Sequence, residues 1–322
     1  MDMDEKESGL KNRIIKSRIS ESRLKQYKAQ KPLFLMIIPC MILAFIFNYW
    51  PLSGWIMAFQ NYKPAKGYLG SKFVGFDQFK FLFTDPVFWR DFVNTIAMSI
   101  LSLVFGFVFS IVFALLLNEL RFKAFKRITQ TASYLPHFLS WVIVCSLISN
   151  ILSTNDGMLN NFLMWLGLID KPILWLGEKS YFWLIVALAN VWKEIGWNSI
   201  IFLAAMSLID TELYEACEID GGNRFRKMWH ITLIGIRPTI IVLLIMNLGW
   251  ILSSGFEVQY LLGRGLVMDV SETIDIFVLK YGISNGNYSL ATAAGIFKSV
   301  ISIIMVAGTI FLAKKMGEKN LI

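Results

Sequence analysis

Four charged side chains stand inside stretches of sequence that are otherwise apolar. They are Lys193, Glu194, Glu257 and Lys298. A charge within a membrane-length apolar segment is costly, so such residues usually mark a functional site. Two interpretations stay open: the charges pair between helices or hold a partner subunit, or several of them line a water-filled path.

Amide and indole side chains accompany these charges and extend the candidate path. They are Asn190, Trp192, Trp197, Asn198, Trp250 and Gln259. Sugars suit such a lining, because their C–H faces stack on aromatic rings and their hydroxyls take directional hydrogen bonds. The tryptophans alone do not decide the matter, since spanning helices also use indole rings as anchors at the membrane interface.

The two lysines allow two roles. Lys193 and Lys298 would suit an acidic sugar, such as an oligosaccharide that bears uronic acids. Alternatively, Glu194 forms a plain salt bridge with a lysine on a neighbouring helix, for which Lys298 is the candidate. Lys193 and Glu194 need not pair with each other, because adjacent residues point about 100° apart on a helix.

Several kinds of chemistry have no residues here to support them. The chain contains no G-x-x-x-x-G-K-[ST] loop for nucleotide phosphates, and two histidines cannot form an H-E-x-x-H site. Cys40, Cys145 and Cys217 lie far apart, without metal or disulfide spacing. We therefore expect no catalytic residues, metal site or cofactor in this chain. If ATP drives the protein, the ATPase is a separate polypeptide.

The elements that carry these residues are predicted to be membrane-spanning helices. The chain has 322 residues, of which 56% are hydrophobic, and a mean hydropathy of +0.56. Its apolar residues form blocks of about 20 or more, which is enough to cross a bilayer. The prediction is an all-α integral membrane protein with six spans, in which Pro39, Pro51 and Pro136 are expected to bend or interrupt helices. The spans are Pro32–Ala58, Phe92–Asn118, 128–152, Tyr181–Leu208, Pro238–Leu262 and Tyr288–Ala313.

The charge distribution predicts the orientation. The formal net charge is +8, and the basic residues cluster outside the apolar blocks, which indicates topology rather than nucleic-acid binding. With six spans, both termini and the basic segments 119–127 and 210–237 lie in the cytoplasm. We divide the chain into a basic cytoplasmic tail (1–31), a first span with an extracytoplasmic loop (32–90) and a core transmembrane domain (91–315).

The extracytoplasmic segments are 59–90, 153–179 and 263–287 under this topology. Two of them contain candidate short helices: Phe162–Leu168, suited to the membrane interface, and Ser271–Leu279, expected at the surface. The chain has no internal repeat, which argues against secondary transporters built from inverted repeats.

A charged island, Glu215–Pro238, separates two of the predicted spans. Asp210–Ile219 reads as a short helix with Glu212, Glu215 and Glu218 on one face, because they are three residues apart. Asp220-Gly221-Gly222 breaks that helix with a turn. Asn223 is placed to cap a second helix through Ile231, and Pro238 opens the next apolar run.

This island resembles the EAA loop of the membrane subunits of ABC importers. Glu215, Ala216, Asp220, Gly221, Ile231 and Pro238 match the loop's pattern. Cys217 and Gly222 replace two of its alanines, Met228 stands where Phe is usual, and Ile234 replaces a frequent Pro. Further upstream, 74–79, 85–89 and Asn94-Thr95 are similar to carbohydrate permeases of the same class.

The resemblance implies a permease subunit of a type I ABC importer, in its oligosaccharide or polysaccharide branch. It implies that 211–219 is a coupling helix docked on an ATPase. The residues assigned to this coupling are Glu212, Glu215, Ala216, Glu218, Asp220, Gly221 and Pro238. The implied partners are a second permease (usually a different chain), two cytoplasmic ATPases that carry ATP and Mg, an extracytoplasmic solute-binding protein, a carbohydrate and membrane lipid.

The alternative is a transporter that acts alone and uses an ion gradient. Glu194 and Glu257 would then serve as proton or ion sites. The EAA-like loop, which needs a soluble partner, and the absence of a repeat both count against this alternative.

Overall fold

The chain is described here by a computed structural model that covers residues 30, 32–253 and 255–315. Its described residues fall into two units, divided between residues 56 and 57. The predicted basic tail lies outside the described residues, apart from residue 30. The segment 77–90, which the sequence analysis groups with the first span, packs within the second unit.

The first apolar helix, α1, spans Pro32–Phe59. It stays α-helical past Pro39, becomes a π-helix at Phe45–Tyr49 and then a 3₁₀-helix at Trp50–Phe59. Pro51 lies at the second change, where its missing N–H removes a helical hydrogen bond. The irregularity expected at Pro51 is therefore present, whereas Pro39 does not interrupt the helix.

A short hairpin and two helices follow. Strands β1 (Gln60–Asn61) and β2 (Lys72–Phe73) pair antiparallel, with Gln60 opposite Phe73, and flank α2 (Gly67–Gly70). Helix α3 covers Asp77–Thr84, and α4 covers Pro86–Glu119. The Asp85 side chain accepts a hydrogen bond from the Val87 N–H at 2.8 Å, and Pro86 suits the first helical turn. This cap starts the second span six residues before the predicted Phe92.

Helices α4 and α8 form the centre of the second unit. Helix α8 covers Lys179–Met206, and its 28 residues correspond to about 42 Å. The two helices pack along their lengths. Buried apolar residues from α4, α8 and the end of the charged island form one core cluster: Ala114, Phe202, Met206 and Ile236.

The predicted third span is sharply bent. Helix α5 (Lys123–Tyr134) leads into a 3₁₀ turn at Leu135–Phe138, and α6 (Trp141–Ile151) departs at 104°. The predicted interruption at Pro136 is confirmed, but the two helices do not form one straight span. Gly196 allows α5 to approach α8 closely, because a Cβ there would lie 2.2 Å from the Ser133 carbonyl oxygen.

Helix α7 (Met158–Trp165) lies in the segment where the sequence predicts a short helix. The helix begins four residues earlier than the predicted Phe162 and ends before Leu168. The Asn160 side chain fixes the following loop, since its Oδ1 accepts hydrogen bonds from the Ile173 N–H and the Trp175 indole, each at 3.0 Å.

The charged island folds as two short helical segments. Helix α9 covers Thr211–Ile219, and α10 (Arg224–Lys227) continues through a π-helical Met228–Thr232 into α11 (Leu233–Gly235). The predicted helix, turn and second helix are confirmed. The second helix extends to Gly235, four residues beyond the predicted Ile231. Helix α12 (Arg237–Gly249) then departs with a bend of 56°.

The expectation of one continuous fifth span, Pro238–Leu262, is wrong. Helix α12 ends at Gly249, a 3₁₀ turn follows at Ile251–Ser253, and α13 covers only Phe256–Leu262. Gly255 has a φ of +110°, a conformation that side chains with a Cβ rarely adopt. Ile251 and Leu252 are buried, so packing holds the chain in this break.

The expectation of a surface helix at Ser271–Leu279 is also wrong. Helix α14 (Met268–Ser271) ends there, α15 covers Ile274–Val278, and a π-helix covers Leu279–Ser284. Ile274 and Phe277 are buried in a cluster with Phe88 of α4 and Leu290 of the last helix, α16 (Tyr288–Lys315). Apolar packing on both sides therefore places this segment inside the fold.

Charged and polar side chains clamp the start of α4 to the segment around α14. Arg90 donates hydrogen bonds to Asp91 at 3.0 Å and to Glu272 at 2.8 Å, and Lys280 also pairs with Glu272. The Asn94 amide donates to the Glu272 carbonyl oxygen at 3.0 Å. Asp91 is 1% exposed, so this clamp is a buried feature of the fold.

A second ion pair ties α8 to α14. The Lys179 ammonium donates to the Asp269 carboxylate at 2.5 Å. This hydrogen bond lowers the pKa of the Asp269 carboxyl below its ordinary value.

Among the described residues, three helices are long and apolar enough to cross a membrane: α1, α4 and α16. The bent pairs α5–α6 and α10–α12 raise the number to five if each is one span. Helix α8 has the length but is not among them. The count of six therefore stays a prediction, while the helical architecture is as expected.

Candidate functional site

A cavity with polar and apolar walls lies between α4, α8 and the end of α12. Its volume is about 190 Å³. Four of the predicted path residues line it: Asn190, Glu194, Asn198 and Trp250. The α4 side of the wall carries hydroxyl groups, and α12 adds one amide. These are Ser99, Ser102, Ser110 and Asn247.

Glu194 is held at the cavity wall by a histidine from the bend between α5 and α6. The His137 Nδ1 lies 2.7 Å from Glu194 Oε2. The His137 ring also stacks on Trp197, with 4.3 Å between ring centroids and 1° between planes. Trp197 therefore supports the wall from behind Glu194.

Lys193 is 5% exposed and faces away from the cavity, toward the same bend. Its Nζ donates to the His137 carbonyl oxygen at 2.5 Å and lies 3.5 Å from Glu194 Oε1. It also lies 5.4 Å from the centroid of the Trp141 ring, within cation–π range. Lys193 and Glu194 thus do interact, and the lysine charge is fully engaged.

A second polar pocket, of about 230 Å³, shares a wall with the first. Trp141, Asn190, Gly255 and Glu257 are among its lining residues. Asn190 belongs to both walls, and its amide donates to the Val186 carbonyl oxygen at 2.9 Å. Of the predicted path residues, Glu257 therefore lies on this second pocket rather than on the main cavity.

Two predicted path residues lie elsewhere. Trp192 lines an apolar pocket on another face of α8, together with side chains such as Leu188 and Ile148. Gln259 is 2% exposed, packs beside Gly255, and its Oε1 has no hydrogen-bond partner among the described residues. The structure thus separates these two residues from the main cavity.

The alternative in which Glu194 forms a salt bridge with Lys298 is contradicted by the structure. Lys298 on α16 pairs with Asp275 on α15, at 2.5 Å from Nζ to Oδ1. The bend at 135–138 brings His137 to Glu194 instead. The sequence does not indicate these partners, because neither depends on spacing within one helix.

The hydroxyl wall and His137 are the residues that sequence reasoning missed. A signal for the wall exists: Ser99, Ser102, Gly106 and Ser110 recur at intervals of three and four in an apolar run, which places them on one helical face. His137 had no such signal, since its role depends on the bend that follows α5.

Helix α9, which opens the charged island, has well-defined ends. The Asp210 side chain caps α9 by accepting from the Glu212 N–H at 3.0 Å. At the other end, the Gly222 N–H donates to the Cys217 carbonyl at 2.7 Å and the Gly221 N–H to the Glu218 carbonyl at 3.0 Å. This is a Schellman motif, which requires the φ of +73° found at Gly221.

Two side-chain contacts fix α9 to the helix that follows. The Tyr214 hydroxyl lies 2.9 Å from Thr232 Oγ1, and Lys227 pairs with Glu218 at 3.1 Å. Thr232 is buried. Helix α9 is therefore fixed to the helical segment that follows it within the island.

The remaining surface of α9 is exposed. Exposed side chains include Glu212, Glu215, Ala216 and the large apolar Leu213 and Ile219. An amphipathic helix with an uncovered apolar side is suited to a groove on another protein. Asp220 and Pro238 serve the local geometry, at the end of α9 and in the first turn of α12.

Long apolar helices, a cavity lined partly by polar groups and an exposed charged helix fit the membrane subunit of a transporter. The chain belongs to the family of binding-protein-dependent transport system inner membrane components, which matches residues 106–318. The predicted class, an ABC importer permease with its all-α membrane fold, is confirmed.

Two curated relatives from Bacillus subtilis (strain 168) match most of the chain. Protein LplB is 42% identical over 294 residues, which cover 91% of this chain and 92% of LplB. The polygalacturonan/rhamnogalacturonan transport system permease protein YteP is 42% identical over 292 residues, which cover 91% and 90% respectively.

Solved structures of ABC transporters match most of the chain as well. A chain of a bacterial ABC transporter involved in the import of the acidic polysaccharide alginate has 38% identity and a TM-score of 0.83, covering 90% of this chain and 98% of that one. A second structure, of the alginate transporter with an alginate pentasaccharide-bound periplasmic protein, has 38% identity and a TM-score of 0.82, covering 91% and 97%.

Proposed function

We propose that this chain is one of two permeases in an ATP-driven importer of oligosaccharides that bear acidic sugars. The cavity between α4, α8 and α12 carries this proposal. Its wall combines serine hydroxyls, three amides and the Trp250 indole, which together suit the hydroxyls and C–H faces of a sugar. Recognition of sugar hydroxyls and C–H faces does not require a charged side chain.

The acidic character of the sugar rests on the relatives rather than on the lysines. YteP is a permease for polygalacturonan and rhamnogalacturonan, and the solved relatives import alginate. Lys193 and Lys298, which would suit an acidic sugar, are both engaged by protein groups. In the described part of the cavity wall, this chain offers hydroxyl and amide partners beside the Glu194 carboxylate, which pairs with His137. The proposal therefore assigns the cations for sugar carboxylates to the second permease.

The charged island transmits the motion of the ATPase to this cavity. Helix α9 docks on an ATPase subunit that binds ATP and Mg, and closure of the ATPase pair draws the two permeases together. The Schellman motif and the Tyr214–Thr232 contact make α9 rigid relative to α10 and α11. Coupling is then a difference in free energy between two arrangements of the helices.

The remaining parts of the proposal are the orientation and the partners. The island and both termini face the cytoplasm, and the ends of α1, α4 and α8 away from it face the binding protein. The alternative of an ion-driven transporter acting alone has no support from the family, whose members depend on a binding protein.

Reconstitution tests the proposed substrate. The permease pair with its ATPases is placed in vesicles, and ATP hydrolysis is measured with the binding protein loaded with an oligogalacturonate or with its carboxyl-reduced counterpart. We expect stimulation by the acidic oligosaccharide. Stimulation by the reduced form alone would overturn the acidic assignment, and no stimulation by any oligosaccharide would overturn the carbohydrate assignment.

A further inference from the structure

The start of α5 carries an exposed apolar stripe. Phe122, Phe125 and Ile128 recur every three residues, and Phe122 is 81% exposed. Leu135 continues the same side beyond the end of the helix and is also exposed. These large side chains have no apolar cover within the described residues.

The opposite side of α5 is polar and faces the protein. Thr129, Gln130 and Ser133 are partly buried, and the helix packs against α8 at Gly196. An apolar outside with a polar inside is the reverse of a helix on a water-exposed surface. The outer face of α5 therefore lies against an apolar phase.

Four cations flank this stripe. They are Arg121, Lys123, Lys126 and Arg127. In the part of the chain that the structure describes, none of the four forms an ion pair. Lys123 is the first residue of α5, where the helix dipole disfavours positive charge. Arg121, Lys123 and Arg127 are exposed and Lys126 is partly buried, so three of the four are open to an external anion.

We propose that residues 121–128 bind anionic phospholipid of the cytoplasmic leaflet. Phe122 and Phe125 lie among the acyl chains, while Lys123 and Arg127 contact the headgroup phosphates. Rings interleaved with cations fit a membrane interface, where an apolar and a charged phase meet. The segment directly follows the end of α4 at Glu119, which places it where a span leaves the bilayer.

The inference rests on the proposed orientation of the chain, and labelling of a Lys123→Cys variant tests that orientation separately.

A basic side chain near an anionic membrane surface contributes about fivefold to binding. Two such side chains should therefore contribute roughly 25-fold if they act independently.

The experiment uses the assembled complex in vesicles of phosphatidylcholine with increasing amounts of photoactivatable phosphatidylglycerol. Crosslinked peptides are mapped by mass spectrometry. The test variant is Lys123→Gln/Arg127→Gln. The matched control is Lys314→Gln/Lys315→Gln, which removes two exposed cations from the end of α16, on the same proposed side of the membrane.

We expect crosslinks at 121–128 in the unmodified complex, unaffected by added inorganic phosphate. The test variant should need at least about tenfold more phosphatidylglycerol for half-maximal crosslinking, and the control variant should retain the unmodified behaviour at 121–128. Equal losses in both variants would mean general charge attraction and would overturn the proposal. Protection of 121–128 by an ATPase or by the second permease, shown by protein–protein crosslinks, would also overturn it.

Discussion

At the residue scale, the ion pair between Lys298 and Asp275 is the first feature with a measurable consequence. Lys298→Met leaves the Asp275 carboxylate without its cation. Breaking a buried pair costs about 3–5 kcal/mol, and partial exposure of both side chains reduces this to roughly 3 kcal/mol or less. We expect a lower thermal midpoint for the purified complex, largely restored by adding Asp275→Asn.

Glu194→Gln is the matched control for this pair, because Glu194 pairs with His137 instead. Adding Glu194→Gln to Lys298→Met should not restore the thermal midpoint. Rescue by Glu194→Gln would contradict the observed pairing. Unchanged stability of Lys298→Met with weakened uptake would instead identify Lys298 as a substrate contact.

Cys217 and Gly222 form a second pair that can be tested. A Cβ on residue 222 would lie 2.3 Å from Cys217 Sγ and 2.7 Å from the Cys217 carbonyl oxygen. Gly222→Ala should therefore destabilise the turn by about 1–3 kcal/mol, the range for overpacking. Adding Cys217→Ala should recover part of this loss, measured as a non-additive term in a double-mutant cycle on thermal stability. Additive effects would show that the thiol is not the obstacle.

The sequence predicts which residues line the candidate substrate path better than it predicts what those residues contact. Charged and amide side chains in apolar runs are visible by type, and Glu194, Asn190, Asn198 and Trp250 do line one cavity. Their partners depend on bends that bring distant segments together. His137 lies 57 residues from Glu194 and reaches it only because the chain turns at 135–138.

At the element scale, α9 and its turn are the part of the chain that we propose transmits the motion of the ATPase. Glu215→Lys places a cation on the exposed surface of α9, and Gly221→Pro is incompatible with the φ of +73°. Each variant should insert into the membrane normally. A reversed charge in an interface costs several kcal/mol, so uptake should fall by at least about tenfold.

Asp156→Lys is a matched charge reversal for this test, because Asp156 is exposed and lies in the segment after α6. Radiolabelled sugar uptake and co-purification of the ATPase are the two measurements. Normal uptake and normal ATPase association of Glu215→Lys would remove the coupling role of α9.

Short elements with strong end signals were predictable, and breaks inside apolar runs were not. Asn223 caps α10 as predicted, and Asp210, predicted as the first residue of α9, is its N-cap. No proline in the sequence marks the break after Gly249. It depends on burial of Ile251 and Leu252 and on the left-handed Gly255, which only the packed structure brings together.

At the scale of the whole molecule, the orientation can be tested by cysteine labelling. Gly70→Cys and Asn285→Cys should react with an impermeant thiol reagent in intact cells. Lys123→Cys and Arg226→Cys should react only after permeabilisation, because positively charged segments stay inside. Each variant is compared with the unmodified chain, which has an exposed Cys40. Labelling of residue 226 in intact cells would contradict the six-span topology.

The clamp around Arg90 has a consequence for biosynthesis. Arg90 leaves the ribosome about 180 residues before its partner Glu272, as their separation of 182 requires. During this interval the Arg90 guanidinium can pair with its neighbour Asp91 but not with Glu272. The clamp at the start of α4 is therefore completed only when the last third of the chain is being made. A stalled or truncated chain that ends before Glu272 leaves Arg90 without this carboxylate, which gives membrane quality control a defect to recognise.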